Sequence, residues 1–247
     1  MTDVIQSLWI GPRLSAMERL CIESFLRHGH EFHLYTYDQV DGIPPGTTVR
    51  DGREILPKER IFFYREHHSV SGFSNFFRYK MLLERGGWWV DTDMVCIAPF
   101  AFEGDHVFGS ERTKGVPHVN CGAIRAPAGS AAMAYAWDVC MSKDPAALRW
   151  GETGPRLMLE VVERFGLQER VQPPDVFCPI GYAEWRELLD PNPPELPREA
   201  IGVHLWNEMW RRESVDKDGS YDPGCLYEQL KRGTLRGAES APAASPS

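Results

Sequence analysis

Residues 71–93 read SGFSNFFRYKMLLERGGWWVDTD, and this stretch decides the fold. Its first part carries apolar residues at helical spacing, which predicts a helix over residues 71–85 that a Gly-Gly pair ends. The apolar residues 88–90 predict a short buried strand, and residues 91–93 follow it directly. A helix that leads into a buried strand with polar residues at its carboxyl end is typical of α/β proteins.

The rest of the chain favours the same class. Residues 4–10 and 32–37 are interpreted as strands, and a helix between them starts at the capping box Ser15-Ala-Met-Glu18. Such a β-α-β opening predicts a parallel sheet with helices on its faces. Further elements are predicted downstream: strands over residues 106–109, 122–124 and 201–206, helices over 130–141 and 155–165, and irregular segments over 41–60 and 190–198.

The chain has 247 residues, 43% of them hydrophobic and 25% charged, which are ordinary values for a globular protein. We expect one domain over residues 1–236 and a disordered tail, rich in Ala, Pro and Ser, over 237–247. The net charge of −8 argues against a nucleic-acid-binding protein, which needs a basic face. Because the sequence has no signal peptide and no apolar run of membrane-spanning length, we expect a protein of the cytoplasm, free or peripheral at the membrane.

Six cysteines are spread along the chain, at Cys21, Cys96, Cys121, Cys140, Cys178 and Cys225. No two of them form a Cys-x-x-Cys pair, and no histidine lies at zinc-finger spacing from any of them. Several lie within apolar runs, where cysteine is a small core residue. We therefore expect reduced, buried thiols rather than disulfides or a zinc site.

The tripeptide Asp91-Thr-Asp93 is the first candidate for chemistry. In an extended segment the side chains at i and i+2 face the same side, roughly 6–7 Å apart, which is too far for both to bind one metal directly unless the chain turns. Two carboxylates there repel each other, and a divalent cation such as Mn²⁺ or Mg²⁺ relieves that repulsion. We expect Asp93 to bind the metal directly, and Asp91 to bond a ribose or sugar hydroxyl or to reach the metal through water. The alternative is a solvated loop, as we infer for the second such tripeptide, residues 216–218.

The helix before this tripeptide carries a polar stripe of Ser71, Ser74, Asn75 and Arg78 at i, i+3, i+4 and i+7. A guanidinium with hydroxyl and amide neighbours can hold a phosphate or a sugar. An ordinary solvated helix face explains the same periodicity, and the spacing alone does not separate the two interpretations.

Two segments in this order resemble the sugar-binding region of glycosyltransferase family 32, which carries an Asp-x-Asp (DxD) motif. They are Ser74-Asn-Phe-Phe-Arg-Tyr and Leu83-Glu-Arg-Gly-Gly-Trp-Trp-Val-Asp-Thr-Asp93. The family includes α-1,4-galactosyl- and mannosyltransferases, and the glucosyltransferase domains of the large clostridial toxins are related. Four more segments resemble the family in the same order: Ser7-Leu-Trp-Ile-Gly11, Asn120-Cys-Gly-Ala, Glu152-Thr-Gly-Pro155 and His204-Leu-Trp206.

The resemblance implies a GT-A fold, with a mixed, mostly parallel central sheet and helices on both faces. It also implies retaining transfer from a nucleotide-diphospho-sugar with Mn²⁺ or Mg²⁺. The residues that it assigns to the base are Leu8, Trp9 and Ile10; those for the rest of the donor are Ser74, Asn75, Arg78, Asp91 and Asn120; the catalytic ones are Arg78, Asp91 and the metal-binding Asp93. Asn75 replaces the usual Asp of this motif, which leaves the identity of the donor open.

For most of the remaining candidate site residues, a functional and a purely structural interpretation both stay open. His204 is a metal ligand or an ordinary core histidine. Glu152, Thr153 and Gly154 lie on the acceptor side, or are a plain helix start. Trp206 is placed on the acceptor side, and Asn120 is a site residue or a turn residue.

The expected donor is a UDP-sugar rather than a GDP-sugar, and the expected acceptor is a glycan or lipid-linked sugar in polysaccharide biosynthesis. Two rival functions stay open from the sequence. One is a metal-dependent phosphotransferase or phosphatase with Asp91 as nucleophile. The other is a non-catalytic module that binds sugar nucleotides.

Overall fold

The computed structural model describes residues 4–65 and 68–233. The predicted tail, residues 237–247, and the predicted domain end at residue 236 lie outside the described residues. The strands are β1 Ile5–Trp9, β2 Phe32–Thr36, β3 Thr48–Asp51, β4 Gly87–Val90, β5 Met94–Cys96, β6 Val107–Thr113, β7 Val116–Ala126 and β8 Gly202–His204. The α-helices are α1 Ala16–Arg27, α2 Ser71–Arg85, α3 Ala131–Met141, α4 Pro155–Arg164, α5 Pro174–Phe177, α6 Asn207–Arg212 and α7 Leu226–Arg232. Short 3-10 helices lie over Gly52–Glu54, Lys58–Arg60, Pro145–Ala147, Gln168–Arg170 and Trp185–Leu189.

The central sheet has six strands in the order β3-β2-β1-β4-β7-β6. The pairings β3·β2, β2·β1 and β1·β4 are parallel, whereas β4·β7 and β7·β6 are antiparallel. A second sheet pairs β5 with β8. The predicted mixed, mostly parallel α/β sheet is thereby confirmed.

Two neighbouring tryptophans of β4 show why helices cover both faces of this sheet. Side chains alternate between the faces of a strand, so Trp88 and Trp89 point to opposite sides. Trp88 belongs to a core that also holds Phe25 of α1. Trp89 belongs to a second core that holds Phe73 and Phe77 of α2. The apolar pair therefore buries both faces of the strand that leads to the DxD motif.

Strands β3, β6, β7 and β8 differ from the sequence-based expectation. The segment over residues 41–60 contains β3, a half-exposed strand at the sheet edge whose polar composition gives no apolar signal. Strands β6 and β7 are longer than predicted and form a hairpin through Lys114 and Gly115, whose φ angles are 51° and 79°. Strand β8 is shorter than predicted, because Trp206 has a left-handed backbone with φ 58°.

The predicted capping box opens α1. The Ser15 hydroxyl accepts a hydrogen bond from the Met17 amide at 3.3 Å, and the Glu18 carboxylate accepts one from the Ser15 amide at 2.7 Å. Glu18 is fully buried and forms an ion pair with Lys217 at 2.5 Å. Asp218 accepts a hydrogen bond from the Ala16 amide at 2.6 Å, so the turn over residues 216–218 is fixed to the start of this helix.

All six cysteines are free and buried, as predicted. Burial raises the pKa of five of their thiols, to about 12 at Cys96 and about 11 at Cys121, and it also raises the pKa of Cys21, Cys140 and Cys178. In the part of the chain that the structure describes, no helix has the length and hydrophobicity that a membrane crossing needs.

Candidate active site

The DxD motif forms a turn between β4 and β5 rather than an extended segment. The Asp91 amide donates to the Gly122 carbonyl of β7 at 2.9 Å, and the Met94 amide donates back to the Asp91 carbonyl at 3.0 Å. The reversal brings the two carboxylates together, so the expectation of extended backbone with separated side chains is corrected here. Both aspartates can therefore face one ligand.

Asp93 is held by the segment that follows β8. One carboxylate oxygen lies 3.2 Å from His204 Nε2, and the other accepts a hydrogen bond from the Asn207 amide at 2.8 Å. The Leu205 amide donates to the Asp93 carbonyl at 2.8 Å. These contacts fix the Asp93 carboxylate against the start of α6.

Asp91, Asp93 and His204 each offer one ligand atom, and these atoms lie within 4.8 Å of one another. Carboxylate oxygens suit Mg²⁺ and Mn²⁺, and an imidazole nitrogen suits the transition metal. His204 therefore lies where the metal-ligand interpretation requires it, and the cluster fits a divalent cation.

The electrostatics of this cluster are those of a buried ion pair. Burial alone would lower the pKa of His204, but the Asp93 carboxylate outweighs it and raises that pKa well above its ordinary value of 6.5. Burial alone would raise the pKa of Asp93, but the His204 charge and hydrogen bonds from His204 and the Asn207 amide lower it below its ordinary value. Each of the two groups therefore stabilises the charged form of the other.

Trp206 packs on this histidine. The centroids of the Trp206 and His204 rings are 4.0 Å apart, and the Trp206 indole donates to the Ile180 carbonyl at 2.9 Å. A left-handed backbone is unfavourable for a bulky residue and is retained where the surroundings impose it. Trp206, which the sequence placed on the acceptor side, is a buried support for His204 and turns the chain into α6.

Arg78 joins α2 to the DxD turn. Its guanidinium lies 3.1 Å from the Asp91 carboxylate, donates to the Cys121 carbonyl and stacks 4.8 Å from the centroid of the Trp89 ring. The Trp89 indole donates to the same Asp91 oxygen at 2.8 Å. Arg78 is only 4% exposed, so the charge of Asp91 is balanced inside the protein. The structure thus brings Arg78 and Asp91 together.

The other two predicted donor residues of α2, Ser74 and Asn75, differ in burial and in contacts. Ser74 is half-buried, one turn before Arg78. Asn75 is buried and points at α4, where its amide nitrogen lies 3.4 Å from the Thr153 hydroxyl. Tyr79 donates to the Thr153 carbonyl at 2.8 Å. Of the polar stripe, Asn75 therefore contacts the segment that leads into α4, whereas Arg78 contacts the DxD turn.

Two of the positions predicted on the acceptor side open α4, next to this contact. Thr153 is fully buried, and Gly154 is the residue before the first turn of the helix. Glu152 forms a 2.8 Å ion pair with Lys143 and accepts from the Arg149 amide at 3.2 Å. Thr153 and Gly154 are thus buried, whereas Glu152 makes its contacts nearer the surface.

A cleft of about 550 Å³ runs beside α6, and its lining includes Trp9, Arg13, Glu18, Asn207, Arg211 and Lys217. Trp9 lies at the carboxyl end of β1, the strand next to β4, and Asn207 bonds Asp93. Leu8 is buried in the core, and Ile10 packs against the same core. The sequence does not predict the wall of the cleft opposite Trp9, which residues 216–218 help to form. The Asp-x-Asp tripeptide at these positions was the one indication in the sequence, and its interpretation as a turn did not include a role in the cleft.

Asn120 and Glu111 complete the other end of the site. The Asn120 carbonyl oxygen accepts from the Gly122 amide at 3.1 Å, and its amide nitrogen donates to Cys178 Sγ at 3.2 Å. Burial raises the pKa of Glu111 on β6, and the His204 charge and the Asn120 side chain, which both lie near it, oppose that rise. The sequence analysis missed Glu111, because no motif surrounds it.

Two family models match the chain. Residues 32–113 match the glycosyltransferase sugar-binding region containing the DXD motif, and residues 146–233 match the alpha 1,4-glycosyltransferase conserved region. The first region contains α2 and the DxD turn, and the second contains His204 and the wall of the cleft opposite Trp9. No curated protein matches the chain.

Two solved glycosyltransferases are similar to this chain. PaToxG glycosyltransferase is similar with a TM-score of 0.50 and 13% identity, over 68% of this chain and 72% of that chain. The glycosyltransferase GlyE of Streptococcus pneumoniae TIGR4 has a TM-score of 0.44 and 13% identity, over 98% of this chain and 66% of that chain. Because both matching family regions are those of glycosyltransferases, the chain is a glycosyltransferase that is similar to family 32.

Proposed function

We propose that this glycosyltransferase moves a sugar, with retention, from a nucleotide-diphospho-sugar to a hydroxyl of a glycan or lipid-linked sugar in a metal-dependent reaction. One observation carries the proposal: the Asp91, Asp93 and His204 ligand atoms converge beside a cleft of about 550 Å³ that reaches Trp9. A sugar nucleotide needs both features, a site for its base and a counter-charge for its diphosphate.

The cleft supports binding of the nucleotide part. Trp9 offers a large flat ring at the end of β1, and the cleft lining also carries the cations Arg13, Arg211 and Lys217. Aromatic rings stack on bases, and cations favour the approach of an anionic diphosphate. Leu8 and Ile10 take part as the apolar support on either side of Trp9 in the chain.

The cluster supports the metal dependence. Asp93 and His204 would hold Mn²⁺ or Mg²⁺ directly, and Asp91 would either join them or bind a ribose or sugar hydroxyl. A divalent cation bound there supplies charge neutralisation for the departing diphosphate. Arg78 fixes the Asp91 carboxylate from the other side at 3.1 Å, so that this carboxylate does not need to reorganise when the donor binds.

The resemblance to family 32 supports retention of the anomeric configuration and the choice of donor and acceptor. The expected route is same-face displacement, in which the leaving phosphate takes the proton of the incoming hydroxyl. We propose a UDP-sugar rather than a GDP-sugar as donor, and polysaccharide biosynthesis in the cytoplasm or at the membrane surface as the setting.

A thermal-shift screen of UDP- and GDP-sugars tests this function. With MnCl₂, the correct donor at 100 times its Kd should stabilise the protein by about 2.7 kcal/mol, and EDTA should remove that gain. Release of nucleoside diphosphate from the same donor then separates an enzyme from a binding module. Binding without release would identify a non-catalytic module, and equal binding in EDTA would refute the metal dependence.

A further inference from the structure

The β6–β7 hairpin projects beyond the edge of the sheet at the DxD turn. Strand β4 pairs with β7 only as far as Val90 opposite Ala123, and the last contact is the Asp91 amide on the Gly122 carbonyl. Pairing between β6 and β7 continues to Thr113 opposite Val116. The outer part of the hairpin therefore forms a wall beside the candidate metal cluster.

Glu111 lies on this wall and faces the cluster. It pairs with His118 across the hairpin, and cross-strand partners share a face with every second residue along the strand. The pairing shifts register beyond Ser110, but a Cβ atom on Gly109, two residues before Glu111, would lie 3.0 Å from Asn120 Oδ1, so Asn120 is on the same face as Glu111. Asn120 in turn accepts a hydrogen bond from the Gly122 amide. A Cβ atom on Gly122 would lie 3.3 Å from His204 Cε1, so this face packs on the candidate metal-binding histidine.

The Glu111 carboxylate has capacity for a ligand. It is half-buried and lies near the Asn120 side chain. A carboxylate offers about four acceptor positions, so a contact with Asn120 leaves others for a ligand. Burial raises the pKa of Glu111, while the charges of His204 and His118 and the Asn120 side chain oppose that rise.

The order of the strands indicates which part of the donor Glu111 would meet. Trp9 ends β1, the DxD turn follows β4, and Glu111 is on β6, with β7 between β4 and β6. At about 4.8 Å per strand, β6 lies about 14 Å from β1 along this edge. If the base lies at Trp9 and the diphosphate at the DxD turn, the sugar extends toward β7 and β6.

We propose that Glu111 binds hydroxyl groups of a sugar at the end of the site opposite Trp9. The inference rests on the proposed function, since the base and diphosphate positions define that end. The transferred hexose and the acceptor sugar present the same hydroxyl chemistry. A carboxylate accepts hydrogen bonds from adjacent hydroxyls of either one and is stronger in this role than a neutral acceptor.

Calorimetry on the full chain with MnCl₂ tests this role. The variants are Glu111→Ala and Glu111→Gln, and the matched control is Asp175→Asn. Asp175 pairs at 2.5 Å with Arg112, the next residue of β6, whose side chain points to the opposite face. The measured quantities are the Kd of UDP, the Kd of the UDP-sugar chosen by the donor screen, and UDP release with water or with a mixture of methyl glycosides as acceptor.

We expect Glu111→Ala to leave the Kd of UDP unchanged, as the control does. A Kd for the UDP-sugar raised at least about tenfold assigns Glu111 to the transferred hexose, and UDP release lowered at least about tenfold at unchanged donor Kd assigns it to the acceptor. Glu111→Gln should retain part of the function, because its amide oxygen still accepts one hydrogen bond.

Two results would overturn the inference while the proposed function stands. In the first, Glu111→Ala changes neither the Kd of the UDP-sugar nor the release of UDP. In the second, it weakens the binding of UDP and of the UDP-sugar equally, which indicates a structural role. A wild-type chain that binds no sugar nucleotide with Mn²⁺ would instead refute the proposed function, and this inference with it.

Discussion

Asp91 and Asp93 belong to one motif but have different partners. Asp91 is bonded to Arg78 and Trp89, on the side of α2. Asp93 is bonded to His204 and the Asn207 amide, on the side of α6. The motif therefore joins two parts of the molecule. Replacement of Asp91 and replacement of Asp93 should have different effects on the protein.

Asp93→Asn should abolish metal-dependent donor binding without unfolding the protein. Asparagine keeps a carbonyl oxygen for the Asn207 amide but loses the charge that a cation needs. Metal-ion catalysis supplies several kcal/mol and each 1.4 kcal/mol is tenfold, so turnover should fall at least about 100-fold. UDP release and thermal shift with MnCl₂ measure the two effects.

The control for this experiment is Asp38→Asn, which removes an exposed carboxylate paired with Lys58 at 2.5 Å. It should behave like the wild type. Wild-type activity of Asp93→Asn at low metal concentration would exclude Asp93 as the ligand.

Arg78→Lys should lower both stability and turnover. Lysine keeps the charge but lacks the planar fork that reaches Asp91, the Cys121 carbonyl and the Trp89 face together. We expect a loss of about 1–3 kcal/mol in the free energy of unfolding, because Arg78 is 4% exposed. Urea unfolding measures it, and kcat should fall more than donor affinity if the charge acts in the transition state.

Arg50→Lys is the matched control, since Arg50 forms a surface pair with Glu54 at 2.6 Å. Such a pair contributes little. An Arg78→Lys variant with unchanged stability and kinetics would mean that the guanidinium contacts carry no function.

At the scale of elements, the start of α1 depends on a charge from the far end of the chain. Glu18 is fully buried and bonded to the Ser15 amide and to Lys217, and Lys217 also lines the cleft. Lys217→Met leaves the Glu18 charge without its partner, and we expect a loss of about 3 kcal/mol in the free energy of unfolding.

The double variant Glu18→Gln/Lys217→Met should recover most of that stability, because glutamine also completes a capping box. Urea unfolding of both single variants and the double variant gives the coupling energy. Strictly additive effects would show that the ion pair does not stabilise the helix start.

The predicted ends of helices and strands agree with the structure where the sequence carries a strong local signal, such as a glycine at a helix end. Helix α2 begins and ends as predicted, because Gly86, with a φ angle of 66°, ends it and Gly87 opens β4. Strand β3 was missed, because an exposed edge strand needs no apolar alternation.

The convergence of Asp91 and Asp93 was not predictable either. The Asp91 turn depends on a bond to β7, and the Asp93 position on His204, 111 residues later. The sequence identified the motif residues, whereas long-range contacts set their distances.

At the scale of the whole molecule, the Asp93–His204 pair makes stability depend on pH. In EDTA, the contribution of His204 is complete below its ordinary pKa of 6.5 and is lost as the pH rises through its raised pKa. The contribution of Asp93 is present above the ordinary pKa of aspartate and is lost as the pH falls through its lowered value.

The melting temperature in EDTA should therefore fall as the pH rises above neutral, and His204→Gln should lack that decrease. A cation needs a neutral imidazole, so stabilisation by Mn²⁺ should grow over the same pH range. Differential scanning calorimetry from pH 6 upward measures both trends, and equal slopes in the wild type and His204→Gln would contradict them.

The buried thiols make this protein convenient for site-specific labelling. Thiol-reactive dyes need an accessible thiolate, and all six native cysteines are buried, with raised pKa values at five of them. A cysteine introduced at Val116, which is 55% exposed at the tip of the β6–β7 hairpin, would therefore carry a fluorophore without removal of the native six. Its emission would report whether the hairpin moves when a sugar nucleotide enters the cleft.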